Sequence, residues 1–182
     1  TKIKTVKLAD IIETIDNPSA PFIFKLDTQG TELNILKSLN SKIFSDKVVS
    51  LEIETNLSST PLNKKSASFN DVINFFQQLD FEIAKIDVIN YLYPKLNSNI
   101  KYNNFPKECD LVLIKKISKV LEMDLEFKLI TLASYCSYKI YSEAGFLIGD
   151  IISNHKNEIN EIYDNLFWLQ KKLNFVNQEH LL

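Results

Sequence analysis

Apolar positions recur along this chain with two periods. Leu8, Ile11, Ile12 and Ile15 fall at helical spacing and stop at Asp16-Asn17-Pro18-Ser19, which predicts a helix closed by a turn. Phe22-Ile23-Phe24-Lys25-Leu26 is a short, nearly continuous apolar run, the pattern of a strand buried on both faces. Past Asp27-Thr28-Gln29-Gly30-Thr31-Glu32, the residues Leu33, Leu36 and Leu39 mark the inner face of a second helix. Residues 48–53 read as a second strand. A polar loop around Ser58-Ser59-Thr60-Pro61 then leads to an amphipathic helix carrying Phe69, Val72, Ile73, Phe76 and Leu79. Residues 82–88 read as a third strand and 110–115 as a fourth.

Strands alternating with helices predict an α/β sheet with right-handed crossovers. The stretch 89–108, between the third and fourth strands, is long for a passive connector. Its Tyr91, Tyr93 and Tyr102 either shape a substrate mouth or pack the loop down. From about Ser118 the pattern becomes purely helical, with Leu121, Leu125, Leu129, Leu132 and Cys136 in one stripe. Gly145 and Gly149 are expected to flank a short second helix, with a break at Ser153-Asn154. Ile159, Ile162, Leu166, Leu169, Leu173 and Val176 then form a heptad seam. Such a seam either packs on the chain's own body or pairs with a partner helix, so a homo-oligomer through residues 159–176 is one expectation. The division that follows is 1–117 as an α/β unit and 118–182 as a helical extension.

Composition narrows the function classes. The 182 residues are 45% hydrophobic and 24% charged, enough for one domain with a real core. A formal net charge of −2 without a Lys/Arg cluster gives no reason to expect a nucleic-acid partner. No run of 18 apolar residues predicts a transmembrane helix, and no membrane partner is expected. Cys109 and Cys136 lack CxxC spacing and read as reduced thiols of a cytoplasmic protein. His155 and His180, with no ligand-spaced neighbours, read as surface residues. The chain opens on Thr-Lys-Ile-Lys-Thr-Val, with no initiator methionine and no signal-peptide pattern, and is expected to be a piece of a longer protein.

Candidate chemistry gathers at one corner. Asp27 is the first polar residue after the first strand, and in an open α/β sheet ligands sit beyond the carboxyl ends of strands. Gly30 permits the tight turn, and Glu32 falls in the first turn of the next helix, where a carboxylate suits the free N–H groups. The alternative is that Asp27 and Glu32 only cap that helix. Glu52 and Glu54 share a strand face and would end near Asp27 if the strands run parallel. Convergent carboxylates there would position a hydroxyl, accept its proton, or hold a divalent cation.

The run Lys25-Leu26-Asp27-Thr28-Gln29-Gly30-Thr31-Glu32, followed by Leu33-Asn34-Ile35-Leu36-Lys37, resembles the Lys-x-Asp-x-Gln-Gly-x-Glu-x-x-x-Leu-Lys signature of FkbM-type methyltransferases. Thr5 to Ile12 is similar to that family's "threonine-leucine-aspartate" helix entry. Val49-Ser50-Leu51-Glu52-Ile53 is similar to its strand ending in glutamate, and Cys109-Asp110-Leu111-Val112-Leu113-Ile114-Lys115 to its closing strand. Leu79-Asp80-Phe81 resembles its "glycine-phenylalanine" turn, with Asp80 where glycine is usual. The likeness runs in order over about residues 5–115. It implies a Rossmann-like fold in which these are the later strands of a seven-stranded sheet, the last one antiparallel. It also implies methyl transfer from S-adenosylmethionine to a hydroxyl of a small molecule or glycan, such as a sugar. On this reading Asp27 and Glu52 are catalytic, and Gln29, Gly30, Glu32 and Tyr91 bind substrate. The family's glycine-rich loop should lie upstream; the chain has 3 glycines and no G-x-G.

Two other readings use the same residues. Asp27-Thr28-Gln29-Gly30-Thr31 also resembles the Asp-x-Asp-Gly-Thr corner of haloacid-dehalogenase-type phosphatases, but Gln29 stands where the acid/base aspartate belongs. A degenerate methyltransferase-like domain that only mediates association would need neither cofactor nor nucleophile.

Overall fold

The computed structural model describes residues 5–15, 20–57, 67–91 and 105–179. Four strands form one mixed sheet: β1 (Phe22–Leu26), β2 (Val48–Asn56), β3 (Phe81–Tyr91) and β4 (Phe105–Lys115), in the order β1-β2-β4-β3. β1 and β2 are parallel, and β4 runs antiparallel between β2 and β3. This is the expected mixed α/β sheet with an antiparallel last strand, a partial Rossmann-like fold with a helical C-terminal extension.

Helices α1 (Leu8–Glu13), α2 (Glu32–Lys37), α3 (Ser41–Asp46) and α4 (Phe69–Gln77) cover one face of the sheet. Their apolar sides meet Leu51, Ile53, Leu111 and Leu113 of the central strands. At the centre of this layer Phe76 stacks edge-on against Phe44, Phe75 and Phe81 with ring centroids 5.0–5.9 Å apart. α4 starts at a capping box in which Ser68 and Asp71 exchange backbone hydrogen bonds. The buried Lys115 closes the end of α3 by donating to the carbonyls of Phe44 (2.7 Å) and Ser45 (3.0 Å). Burial pushes its ammonium pKa down to about 8.

Helices α5 (Ile117–Val120), α6 (Leu125–Ser137), α7 (Tyr141–Asn154) and α8 (Tyr163–Glu179) form the layer on the other face. They pack on Val49, Val112 and Ile114. The 159–176 seam lies inside this layer. Ile159, Leu166 and Leu173 are buried, and Ile162 and Leu169 pack against the same cluster, so the seam meets its own chain.

Several expectations need correction. β1 buries one side only: Phe22, Phe24 and Leu26 face the first helical layer, whereas Ile23 and Lys25 are exposed. The cause is position, because β1 ends the sheet and the second helical layer does not reach it. Strands β3 and β4 extend further than their apolar cores suggested, taking in residues 89–91 and 105–109. Helix α3 was not anticipated. Gly145 and Gly149 lie inside α7 rather than beside it; a Cβ at Gly149 would come within 3.3 Å of the Gln170 amide, so the glycine lets α7 and α8 approach. The fully buried face of α6 is Phe127, Lys128, Thr131, Leu132, Ser134 and Tyr135; of the predicted stripe it takes in Leu132, while Leu121, Leu125, Leu129 and Cys136 pack half-buried against the same cluster. That face is partly polar because it meets polar sheet positions, as where Ser134 and Ser50 share a 2.7 Å hydroxyl contact. His155 is tied into the layer rather than free at the surface. Its ring lies 3.3 Å from the ammonium of Lys128 and 2.8 Å from Glu158, and Lys128 also pairs with Asp150 at 2.8 Å. Ser58–Pro61, Tyr93, Tyr102 and His180 lie outside the described residues.

Candidate functional site

The corner after β1 is built by backbone geometry first. Gln29 (φ 56°) and Gly30 (φ 107°) both take positive φ, which reverses the chain between β1 and α2. Glu32 is 3% exposed and folds back into this turn. Its Oε1 accepts the Thr28 (2.7 Å) and Gly30 (3.0 Å) amides, and its Oε2 lies 2.9 Å from the same Gly30 nitrogen. A carboxylate on free amides at a helix start is electrostatically favoured. Glu32 therefore holds the corner, with both oxygens turned inward onto the backbone.

With the turn fixed, Gln29 reaches across it. Its amide nitrogen donates to Asp27 Oδ1 at 2.9 Å and to Glu54 Oε2 at 3.3 Å. This bridge joins the end of β1 to the end of β2. Strand register extends the pattern: Leu26 pairs with Ile53, Glu54 with Asp110, and Asp110 with Asp87. Asp27, Glu54, Asp110 and Asp87 thus lie in one row across the sheet, one acid per strand, at the roughly 4.8 Å spacing of neighbouring strands.

The two middle members of the row, Glu54 and Asp110, resist ionisation. Burial, then Glu108, Asp27 and Asp110, raise the Glu54 carboxyl to about 7. Burial and then Glu52 also raise Asp110, against the pull of Lys25. Among the described residues no group of three or more His, Cys, Asp or Glu side chains is arranged to hold a metal ion.

Glu52 plays a different part. It lies one residue pair back along the strands, opposite Lys25, whose ammonium binds its Oε1, while the Tyr138 hydroxyl donates to its Oε2 at 3.1 Å. Both oxygens are engaged, and the contact with Tyr138 ties β2 to the end of α6. Of the carboxylates singled out from the sequence, the structure brings Asp27 together with Glu54, through Gln29, and not with Glu52. The signal for Glu54 was present in strand parity; its elevated pKa depends on neighbours from β4, which parity does not reveal. Tyr91 is the last residue of β3, and its side chain lies outside the described residues.

The turn sequence, the one-acid-per-strand row and the β1-β2-β4-β3 order can now be set beside known families. Residues 1–83 match the methyltransferase FkbM domain family. The FkbM segment thus runs from the chain start through α4 into β3, and it contains Asp27, Gln29, Gly30, Glu32, Glu52 and Glu54. No curated protein and no solved structure matches the chain.

The raised carboxyl of Glu54 has a stability consequence. In the folded state it holds its proton to about pH 7, whereas unfolded it releases it near 4.5. The folded state then binds more protons between those values, so stability falls as pH rises from about 4.5 through 7. Glu54→Gln removes this penalty. It should raise stability at pH 8 by about 1–2 kcal/mol, after allowance for solvent screening, and change little at pH 4. Melting temperatures at the two pH values check this.

Proposed function

We propose that this corner is the acceptor side of an S-adenosylmethionine-dependent O-methyltransferase, with Asp27 and Glu54 taking the proton of the attacking hydroxyl. The observation that carries the reading is the Gln29-bridged pair, in which one carboxyl titrates near neutral pH. A hydroxyl must lose its proton as it attacks a methyl group, and a base poised near the working pH does this best. Gln29 orients the two carboxylates, Glu32 keeps the turn that presents them, and Gly30 supplies its backbone geometry. Carboxylate oxygens that accept from hydroxyls suit a polyol such as a sugar. Bound S-adenosylmethionine would supply an electrophilic methyl on a positively charged sulfur. The described residues do not cradle its nucleoside: Gly30 spends its N–H on Glu32, and the other two glycines lie within α7.

Methyl transfer from S-adenosylmethionine to a panel of sugars, followed against pH, tests the proposal. The profile of kcat/KM should rise through a pKa near 7. Glu54→Gln should flatten that limb and lower the rate by about 10²–10⁴-fold. Asp27→Asn should abolish turnover while leaving the melting temperature nearly unchanged. A large loss of stability in that variant would make Asp27 a structural cap instead. A second reading, a non-catalytic association module, is favoured by the lack of a nucleoside cradle among the described residues. Calorimetric titration with S-adenosylmethionine and S-adenosylhomocysteine separates the two, since only the methyltransferase reading requires binding.

A further inference from the structure

Two strands end the sheet, β1 and β3. β3 is eleven residues long against five for β1. Along β3, Ile83, Ile86 and Val88 are 39%, 44% and 47% exposed, while Lys85 and Asp87 point to the opposite face and pair with each other at 2.5 Å. A long edge strand with three exposed apolar side chains is a template for pairing with another chain.

We propose that β3 is the interface of a symmetric homodimer, in which two copies pair β3 antiparallel about a two-fold axis at Ile86. The charge pattern selects this register. Residues directly opposite each other in an antiparallel pair must face the same side of the sheet, so the axis can move only onto a residue, not between residues. With the axis at Ile86, Lys85 lies opposite Asp87 of the partner subunit, and Asp87 opposite Lys85 of the partner subunit. Moving the axis to Lys85 sets that ammonium against its own copy, and moving it to Asp87 does the same with two carboxylates. Like charges directly opposite are destabilising, so the axis at Ile86 is favoured over those at Lys85 and Asp87, and it alone sets Lys85 opposite Asp87. The three positions that meet across this axis, 85–87, lie in the stretch from Lys85 to Ile89 where β3 pairs regularly with β4. On the other face, Ile86 meets its own copy and Val88 lies beside it.

The β1 edge offers no such match. Its one charged residue, Lys25, is already bound to Glu52, and an axis at Phe24 would set that lysine opposite Ile23. The inference is independent of the methyltransferase reading, since Asp87 ends the acid row but takes no part in the Gln29-bridged pair of Asp27 and Glu54. It gives the chain an isologous interface that joins two four-stranded sheets into one of eight.

Sedimentation velocity over a concentration series tests it. The chain should reach twice the monomer mass. Lys85→Glu and Asp87→Lys should each raise the dissociation constant by more than about tenfold, because each creates like-charge pairs across the axis. Mixing the two variants in equal amounts should restore a dimer, since acids at positions 85 and 87 of one copy then face lysines at positions 87 and 85 of the other. Ile86→Cys should form a disulfide-linked dimer under mild oxidation, and Ile23→Cys should not. A chain that stays monomeric throughout overturns the proposal. So does a dimer that both single charge variants leave unchanged, as one formed through residues 159–176 would be.

Discussion

Glu32→Ala is expected to cost about 3–5 kcal/mol of stability and to collapse the corner that presents Asp27 and Gln29. The side chain is almost wholly buried and its carboxylate accepts the amides of Thr28 and Gly30. Alanine removes the acceptor and leaves both amides of this part-buried turn without their side-chain partner. Each orphaned donor costs about 1–3 kcal/mol, and hydrogen bonds to charged groups sit at the upper end. Positive φ at Gln29 is sustained only while the turn is held. The same substitution should therefore loosen the bridge from Gln29 to Glu54. Two readouts check this: a denaturant midpoint shifted at unchanged slope, and the disappearance of the titration near pH 7 assigned to Glu54. If stability falls but that titration survives, the corner does not depend on Glu32.

Phe76→Ala should be of similar size, about 3–5 kcal/mol, and its origin is different. Phe76 is fully buried in α4, with three aromatic rings packed edge-on around it. Truncation removes the transfer free energy of the ring and leaves a cavity that Phe44 and Phe81 cannot fill without leaving their own sites. The same change at Trp168, which is 61% exposed, should stay within about 0.5 kcal/mol of the parent. Chemical denaturation of the two variants side by side checks the pair of values. Equal losses would mean that the outer face of α8 is covered in solution.

Much of this molecule was legible without coordinates. The 3.6-residue spacing of Leu33, Leu36, Val72 and Phe76 and the apolar run 22–26 place helices and strands. Periodicity records which side chains must leave water, and that is a local property of the chain. The Asp27-to-Glu32 turn was legible for the same reason: glycine, a helix-start acid and a strand end are neighbours in sequence. The FkbM likeness rested on that segment.

What sequence could not supply is partnership between distant segments. Phe22-Ile23-Phe24 reads as a doubly buried strand, yet β1 has one face in solvent because burial depends on which layer lies above it. Glu52 and Glu54 are equivalent by parity. Only the fold decides that Lys25 and Tyr138 occupy the first, while Asp27, Asp110 and Glu108 crowd the second and push its carboxyl towards neutrality. Lys115 and Lys128 are buried, each satisfied by groups from another element. The heptad seam of α8 fitted equally a partner helix or the chain's own α7, because an apolar stripe specifies that it be covered and not by what. The sequence by itself determined the elements and the chemistry of the turn. The tertiary structure alone decided which carboxylates share one row, because their energies depend on distances between strands that the chain brings together only on folding.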